Sequence, residues 1–459
     1  MYKLDFNKPV SIYFIGIGGI SMSGLAQVLH TAGFTVSGSD WHSSAITESL
    51  ERKGITVRYG ESAQHITDDI DVAVLTSAVH DNNLEFQELR RKGIPYMSRA
   101  ELLGQMMKNY EMPIAISGTH GKTTTTSMVS EILLEGDTDP TLSIGGILKT
   151  IGGNIRIGHS GYFVTEACEY TNSFLSFFPK ISIILNIDAD HLDFFKDLED
   201  IRNSFKKFAQ LLPEDGCLII NSDIPRLEEI TEGLTCKIIT FGHDSKADYR
   251  LDTISYNEMG NATFTVAKPD GTTAEYALSV PGEHNVMNAI SAICLADLLA
   301  IPAEVTKKAL YNFHGTNRRF EYKGTVNGVT IIDDYAHHPT EIEACLTAAK
   351  GCEYNNLWCV FQPHTYTRTK ALMGDFAKAL SLADKVVLAD IYAARETDTL
   401  GISSVDLQKA IQALGKEAYY FPSFDEIEKF LSKSCINGDM LITMGAGDVL
   451  KIGENLLSK

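Results

Sequence analysis

Short apolar runs recur along the chain, each closed by glycine or polar turn formers and followed by a stretch whose apolar residues return every three or four positions. The runs read as buried strands and the stretches as amphipathic helices, so their alternation predicts parallel α/β sheets. A strand over 11–15 leads through a glycine loop into a helix ending near Leu29, with further strands at 35–38 and 72–75. A second series has strands at 114–116, 162–165 and 181–187 and a helix over 285–299, and between them 249–280 alternates apolar and polar residues as a β-rich excursion. Beyond residue 318, strands at 330–333, 357–361, 385–388 and 440–443 alternate with helical stretches. The polar connector over 108–113 ends in Pro113, and a second linker reads Phe313-His314-Gly315-Thr316-Asn317. These divide the chain into three α/β domains: 1–110, Rossmann-like; 111–316, a central domain of P-loop ATPase type; and 317–459, again Rossmann-like.

Composition narrows the class. A length of 459 residues exceeds what one core organises, and no apolar run reaches the ~18 residues needed to span a bilayer, so a globular protein without membrane insertion is expected. The opening Met1-Tyr2-Lys3-Leu4-Asp5-Phe6 lacks the form of a signal peptide, which makes the cytoplasm the expected compartment. The eight cysteines include no C-x-x-C pair and are expected to be reduced. A formal charge of −19 argues against a nucleic-acid partner, because phosphate backbones require clustered Lys and Arg. Small-molecule substrates and a monomer or homodimer are the remaining expectation.

The strongest chemical signal is the loop Gly118-Thr119-His120-Gly121-Lys122-Thr123-Thr124, entered from an apolar strand and leading into a helix. Backbone amides and the helix dipole attract phosphate oxygens there, Lys122 adds positive charge, and the Thr123 hydroxyl suits Mg²⁺, so a nucleoside triphosphate is expected. The generic P-loop pattern wants glycine at 116; Ile116 makes this a shortened G-T-x-G-K-T variant. Gly16, Gly18 and Gly19 follow the first strand and Asp40 closes the second, but Ser21 takes the third glycine of a dinucleotide fingerprint. Either NAD or a nucleotide-sugar diphosphate fits that loop. Glu166, and Asp188, Asp190 and His191, follow successive strands and supply possible metal ligands, Glu166 being the better match to Mg²⁺. Asn285 and Asn288 share a helical face able to read an adenine edge, with Asn285 also a possible N-cap. Arg318 and Arg319 close the second linker, and Asp333 to Pro339 and Gln362 to Arg368 follow consecutive strands, forming an anion-facing mouth. An NAD-dependent sugar-nucleotide oxidoreductase or a phosphate-loop switch each explains one of these loops and leaves another unused.

In order along the chain, IGIGGISMSG, GSD, SGTHGKTTTT, EACEY, NIDADHLD, GEHNVMNA, GTNRRFEY, DDYAHHPTEI, FQPHTYTRT and TMGAG resemble the motifs of the Mur ligases over nearly the whole length. That resemblance implies ATP-dependent joining of L-alanine to the lactoyl carboxylate of UDP-N-acetylmuramate in peptidoglycan precursor synthesis, with a murein peptide recycling ligase or another amino-acid adder as the nearest alternative. It implies that Gly16, Gly18 and Gly19 hold UDP, with Asp40 and Arg99 as further contacts. It assigns Lys122 to the β- and γ-phosphates, Thr123 and Glu166 to one Mg²⁺ and His191 to a second. Asn285, Asn288 and His284 would read adenine, Arg319 and Asp334 would reach ATP, and His337 and Arg368 would face L-alanine and the reacting carboxylate, with His337 as the candidate base. Cys168 stands where relatives commonly carry a carboxylate, and Thr365 where they carry arginine. Lys206 lies where related ligases use a carbamylated lysine, and reads here as an ordinary helix lysine.

Overall fold

The computed structural model describes residues 2–458 except 77, 193, 259 and 395. The chain packs as two compact units, the first comprising Met1–Ile187 and Glu199–Ile239, the second Asp188–Leu198 and Thr240–Lys459.

The first unit holds two sheets. One is wholly parallel, in the order β3-β2-β1-β4-β5, from β1 (Ser11–Ile15), β2 (Thr35–Asp40), β3 (Thr56–Tyr59), β4 (Val72–Leu75) and β5 (Tyr96–Ser98). Ile12, Tyr13 and Phe14 are fully buried, as expected for a central strand covered on both faces. The other is built on β6 (Met112–Ser117), β7 (Thr141–Leu148), β8 (Gly153–Arg156), β9 (Tyr162–Glu166), β10 (Ile181–Ile184) and β11 (Cys217–Asn221), ordered β11-β10-β6-β9-β7-β8. Among the described residues, only β8 of these strands is antiparallel to its neighbour. β6 lies in the middle, so the phosphate loop leaves the sheet between the C-terminal ends of β9 and β10. This is where an open parallel sheet presents a ligand.

The chain passes to the second unit within β12 (Lys237–Gly242). There, Phe241 and Gly242 pair with Tyr249 and Arg250, and β13 (Tyr249–Tyr256), β14 (Asn261–Ala267) and β15 (Thr273–Pro281) form an antiparallel meander, in agreement with the alternation over 249–280. β16 (Glu321–Val326), β17 (Val329–Asp334), β18 (Leu357–Phe361), β19 (Lys385–Leu388), β20 (Glu417–Tyr420) and β21 (Met440–Met444) make a six-stranded sheet ordered β16-β17-β21-β18-β19-β20, antiparallel only at β16. Helices cover both faces, and β18 is buried throughout.

Two predicted elements differ. The strand expected over 181–187 ends at Ile184, because Asn186 is drawn away to hydrogen-bond the phosphate loop. The helix expected from Asn285 begins at Glu283 after Gly282, so Asn285 is no N-cap; its amide lies inside the first turn and donates to the Pro281 carbonyl at 2.7 Å. None of the eight cysteines forms a disulfide, and no helix among the described residues is long and apolar enough to cross a membrane.

Candidate active site

The phosphate loop is shaped by its glycines. Gly118 (φ +145°) turns the chain out of β6, and Gly121 (φ +86°) caps the helix Lys122–Glu135. A Cβ on Gly118 would meet Leu185 at 2.9 Å, so the close approach of the loop to the end of β10 also requires glycine. Asn186 clasps the loop from that side: its Oδ1 accepts from His120 N at 2.8 Å and its Nδ2 donates to His120 O at 3.0 Å, while Thr119 N donates to Asn186 O at 3.2 Å. Lys122 folds back over the loop, donating to Gly118 O at 2.6 Å, Thr119 O at 3.0 Å and Glu169 Oε2 at 2.9 Å. Burial works against the ammonium, but Glu169 and Glu166 outweigh it and raise its pKa, so Lys122 stays charged. Glu169 and Asn186 were not singled out from sequence. The second carboxylate of EACEY and the first residue of NIDADH were the only signals for them.

Glu166 ends β9 in register with Ile116, and its Oε1 accepts from Gly145 N at 2.5 Å. Thr123 stands in the first turn of the loop helix. A carboxylate and a hydroxyl form an all-oxygen donor pair of the kind Mg²⁺ selects. Cys168, in place of the family's carboxylate, is a buried thiol whose pKa burial and Glu169 push up, so this position adds no charge at neutral pH. Lys206 pairs with Glu232 at 2.7 Å, an ordinary ion pair.

The first glycine loop lies in the same unit. Gly16 (φ +82°) and Ile17 both donate to Ser39 O at 2.9 Å, and Gly19 precedes the helix Ile20–Thr31. Asp40 turns out to brace this loop, accepting from Gly18 N at 2.8 Å, and a Cβ on Gly18 would meet that carboxylate at 2.7 Å. Arg99 donates to the Ser21 hydroxyl at 3.0 Å, so the serine in the third glycine's place is a partner for arginine. Burial lowers the Arg99 pKa, with Glu166 acting in the opposite sense. Asn154 of β8 donates to Ile20 O at 3.2 Å, so the helix that follows this loop packs on the sheet that carries Glu166.

In the second unit, Asn288 Nδ2 donates to Asn285 Oδ1 at 3.3 Å, and both residues are buried. Beside them, His284 stands exposed in the first turn of the same helix. Asp334 accepts from Phe320 N and Ala336 N, each at 2.7 Å. It therefore fastens the turn carrying Arg318 and Arg319, and burial raises its carboxyl to about 6 although Arg319 opposes the shift. Arg318 is committed to Asp333 at 3.0 Å and Gly445 O at 2.6 Å, whereas Arg319 makes only a 3.9 Å approach to Glu341 and lies over the Tyr335 ring. Asp334 is therefore a weaker acid in the fold, so its contribution to stability is greatest below about pH 3.8 and is lost as pH rises through 6. Thermal midpoints measured from pH 4 to 6.5 should fall less with rising pH for Asp334→Asn than for the parent.

His337 Nδ1 lies 3.0 Å from Tyr335 O and 3.2 Å from Glu341, and its ring meets His364 edge-on. Arg368 bonds Asp190 at 3.1 Å and approaches His364 Nδ1 at 3.3 Å. Burial would raise the Asp190 carboxyl, but His191, Arg368 and His338 pull it down to about 2. Burial, His337 and Arg368 lower His364 to about 4. Thr365, where relatives carry arginine, takes a positive φ (+65°) and caps the helix Tyr366–Ala371 through its hydroxyl. The segment bearing His191 packs in this unit: Asp188 accepts from Thr340 at 2.8 Å, and Ala189 O lies 3.2 Å from His338 Nε2. His364, part of the motif read from sequence as an anion-facing mouth, lies between His337 and Arg368.

The first unit thus holds a charged lysine over a glycine-turned phosphate loop with oxygen donors in the same unit, and the second holds an Arg/His mouth, the parts that a phosphate-activating ligase requires. Three family models cover most of the chain: Mur ligase family, catalytic domain, over 11–111; Mur ligase middle domain over 116–296; and Mur ligase, glutamate ligase domain, over 318–447. The UDP-N-acetylmuramate--L-alanine ligase of Agathobacter rectalis is 59% identical over the full length of both chains, and that of Lachnospira eligens 58%. Among solved structures, the UDP-N-acetylmuramate-alanine ligase of Thermotoga maritima superposes with a TM-score of 0.82 at 32% identity over 98% of each chain. A murein peptide ligase from Psychrobacter arcticus reaches 0.72 at 27%, also over 98% of each. The chain belongs to the Mur ligase family. The nicotinamide-dependent oxidoreductase reading is thereby set aside.

Proposed function

We propose that this enzyme joins L-alanine to the lactoyl carboxylate of UDP-N-acetylmuramate at the expense of ATP, in the cytoplasm, as a step of peptidoglycan precursor synthesis serving cell division, and that it works as a monomer or homodimer through domains spanning 1–110, 111–316 and 317–459. The observation that carries this reading is full-length identity of 59% to a relative of that name, joined to a phosphate loop whose lysine is held charged.

A carboxylate does not condense with an amine unaided, because its oxygen is a poor leaving group. A lactoyl carboxylate oxygen would attack the γ-phosphorus of ATP, breaking the bond to the β-γ bridging oxygen and releasing ADP. The neutral amine of L-alanine would then attack the acyl carbon, and phosphate would leave the tetrahedral intermediate with the bonding pair. The first step brings two anions together. Lys122, arriving with its charge secured by Glu169, would offset that repulsion at the transferred phosphoryl group, and Arg319 would add positive charge to ATP. Thr123 and Glu166, with His191 for a second ion, would hold Mg²⁺, which when bound supplies charge neutralisation at the phosphates. Asn285, Asn288 and His284 would receive adenine. The UDP moiety would lie on Gly16, Gly18 and Gly19, with Asp40 and Arg99 as further contacts. Arg368 would take the carboxylate of L-alanine, and His337, backed by Glu341, would accept the proton from its ammonium.

Mass spectrometry of products from ATP, Mg²⁺, UDP-N-acetylmuramate and an equimolar amino-acid mixture tests the assignment. The expected product is heavier than the sugar nucleotide by one alanine residue. A product formed only with a preassembled murein peptide would transfer the chain to the recycling branch of the family.

A further inference from the structure

Glu85 is a carboxylate on the first turn of the helix Leu84–Lys92 with only 1% of its surface exposed, and the reaction outlined above makes no use of it. A buried carboxylate is costly unless donors surround it. Three do here: Tyr13 Oη of β1 at 3.1 Å, Ser39 Oγ of β2 at 2.6 Å, and His65 Nδ1 at 2.7 Å, from the short turn Ala63–His65 that Arg58 secures by donating to His65 O at 2.7 Å. Tyr13 and Ser39 are themselves buried. The connection runs on from Ser39. Its carbonyl receives the first two amides of the glycine loop, Gly16 N and Ile17 N, and the next residue, Asp40, receives Gly18 N.

We propose that Glu85 is a positioning residue for the sugar-nucleotide site: through the Ser39 hydroxyl it fixes the end of β2, and through the Ser39 carbonyl the conformation in which the glycine loop meets a uridine diphosphate. The inference rests on that loop being the UDP site. Ser39 carries a hydroxyl because it must link a buried carboxylate to a backbone template, a role alanine cannot fill. Replacing the acid by glutamine removes the negative charge that all three partners bond and puts an NH₂ where one carboxylate oxygen accepted.

Titration calorimetry with UDP and steady-state kinetics with UDP-N-acetylmuramate test it on the full chain. Glu85→Gln should weaken UDP binding and raise the KM for the sugar nucleotide by roughly tenfold, the scale of one hydrogen bond to a charged group. The KM for ATP and kcat should stay within about twofold, because the loop at 118–124 is built on another sheet. Ser39→Ala should move the same constant in the same direction, and the double variant should be no worse than Glu85→Gln alone, as expected for one chain of contacts. Wild-type sugar-nucleotide affinity in both single variants would overturn the proposal, and so would a parallel loss of affinity for UDP, ATP and L-alanine, which would mark a general packing role. Should Glu85→Gln fail to fold, Ser39→Ala decides alone. If the parent protein itself does not bind UDP, the site assignment beneath the proposal fails, and that outcome is distinct from a parent that binds UDP and variants that bind it equally well.

Discussion

Lys122→Ala should lower kcat by roughly 10²- to 10³-fold, the scale seen when one preorganised group facing developing charge is removed. The same substitution has a second effect with a different origin. Glu169 is buried and loses its ammonium partner, and breaking a buried pair from one side costs about 3–5 kcal/mol of stability. The two effects separate in a pair of variants. Lys122→Ala should both melt earlier and turn over slowly, whereas Lys122→Ala with Glu169→Gln should regain much of the thermal midpoint and none of the turnover. Recovery of ADP release in the double variant would show that the lysine serves the fold and not phosphoryl transfer.

Arg368→Ala should raise the KM for L-alanine by roughly 10- to 100-fold, since a hydrogen bond from a charged donor to a carboxylate is worth about 1.5–3 kcal/mol. The KM for ATP should change little. In the structure the guanidinium is occupied by Asp190 at 3.1 Å. The amino-acid carboxylate must therefore share or take over a partner that the protein already supplies, and Arg368→Lys, with one compact charge in place of a planar fork, should restore only part of the affinity. An unchanged KM for L-alanine in Arg368→Ala would move the amino-acid site away from this mouth.

Much of the architecture was legible because it rests on short-range signals. The run from 114 to 124 combines an apolar strand, glycines at positive-φ positions and Lys-Thr at a helix start, and each part agrees with the others. The strands at 357–361 and 385–388 are continuous apolar runs buried on both faces, and they appear with the predicted limits. What was not legible depends on contacts between residues remote in sequence. Glu169 reaches Lys122 through an irregular turn in which Thr171 and Asn172 take left-handed conformations, which no local preference of those residues announces. Asn186 cuts the expected strand short in order to clasp His120, so a tertiary hydrogen bond overrides an apolar pattern that would otherwise continue. Asn285 has the side chain of an N-cap, but Gly282 starts the helix earlier and turns its amide to the Pro281 carbonyl. The pairing of Asp190 with Arg368 spans 178 positions, and neither residue's neighbours hint at the other. Of the first glycine loop, the sequence indicated a phosphate-sized turn; that Asp40 would brace it from inside, and that Ser21 would serve Arg99, are properties of the fold.

The central claim is that ATP activates the sugar acid by phosphorylating its carboxylate before the amine arrives. The most direct measurement uses UDP-N-acetylmuramate labelled with ¹⁸O in the lactoyl carboxylate, turned over with ATP, Mg²⁺ and L-alanine, with the released orthophosphate analysed by mass. The mechanism predicts one ¹⁸O in each phosphate formed per product from fully labelled acid. Orthophosphate carrying no label while labelled amide accumulates would contradict it.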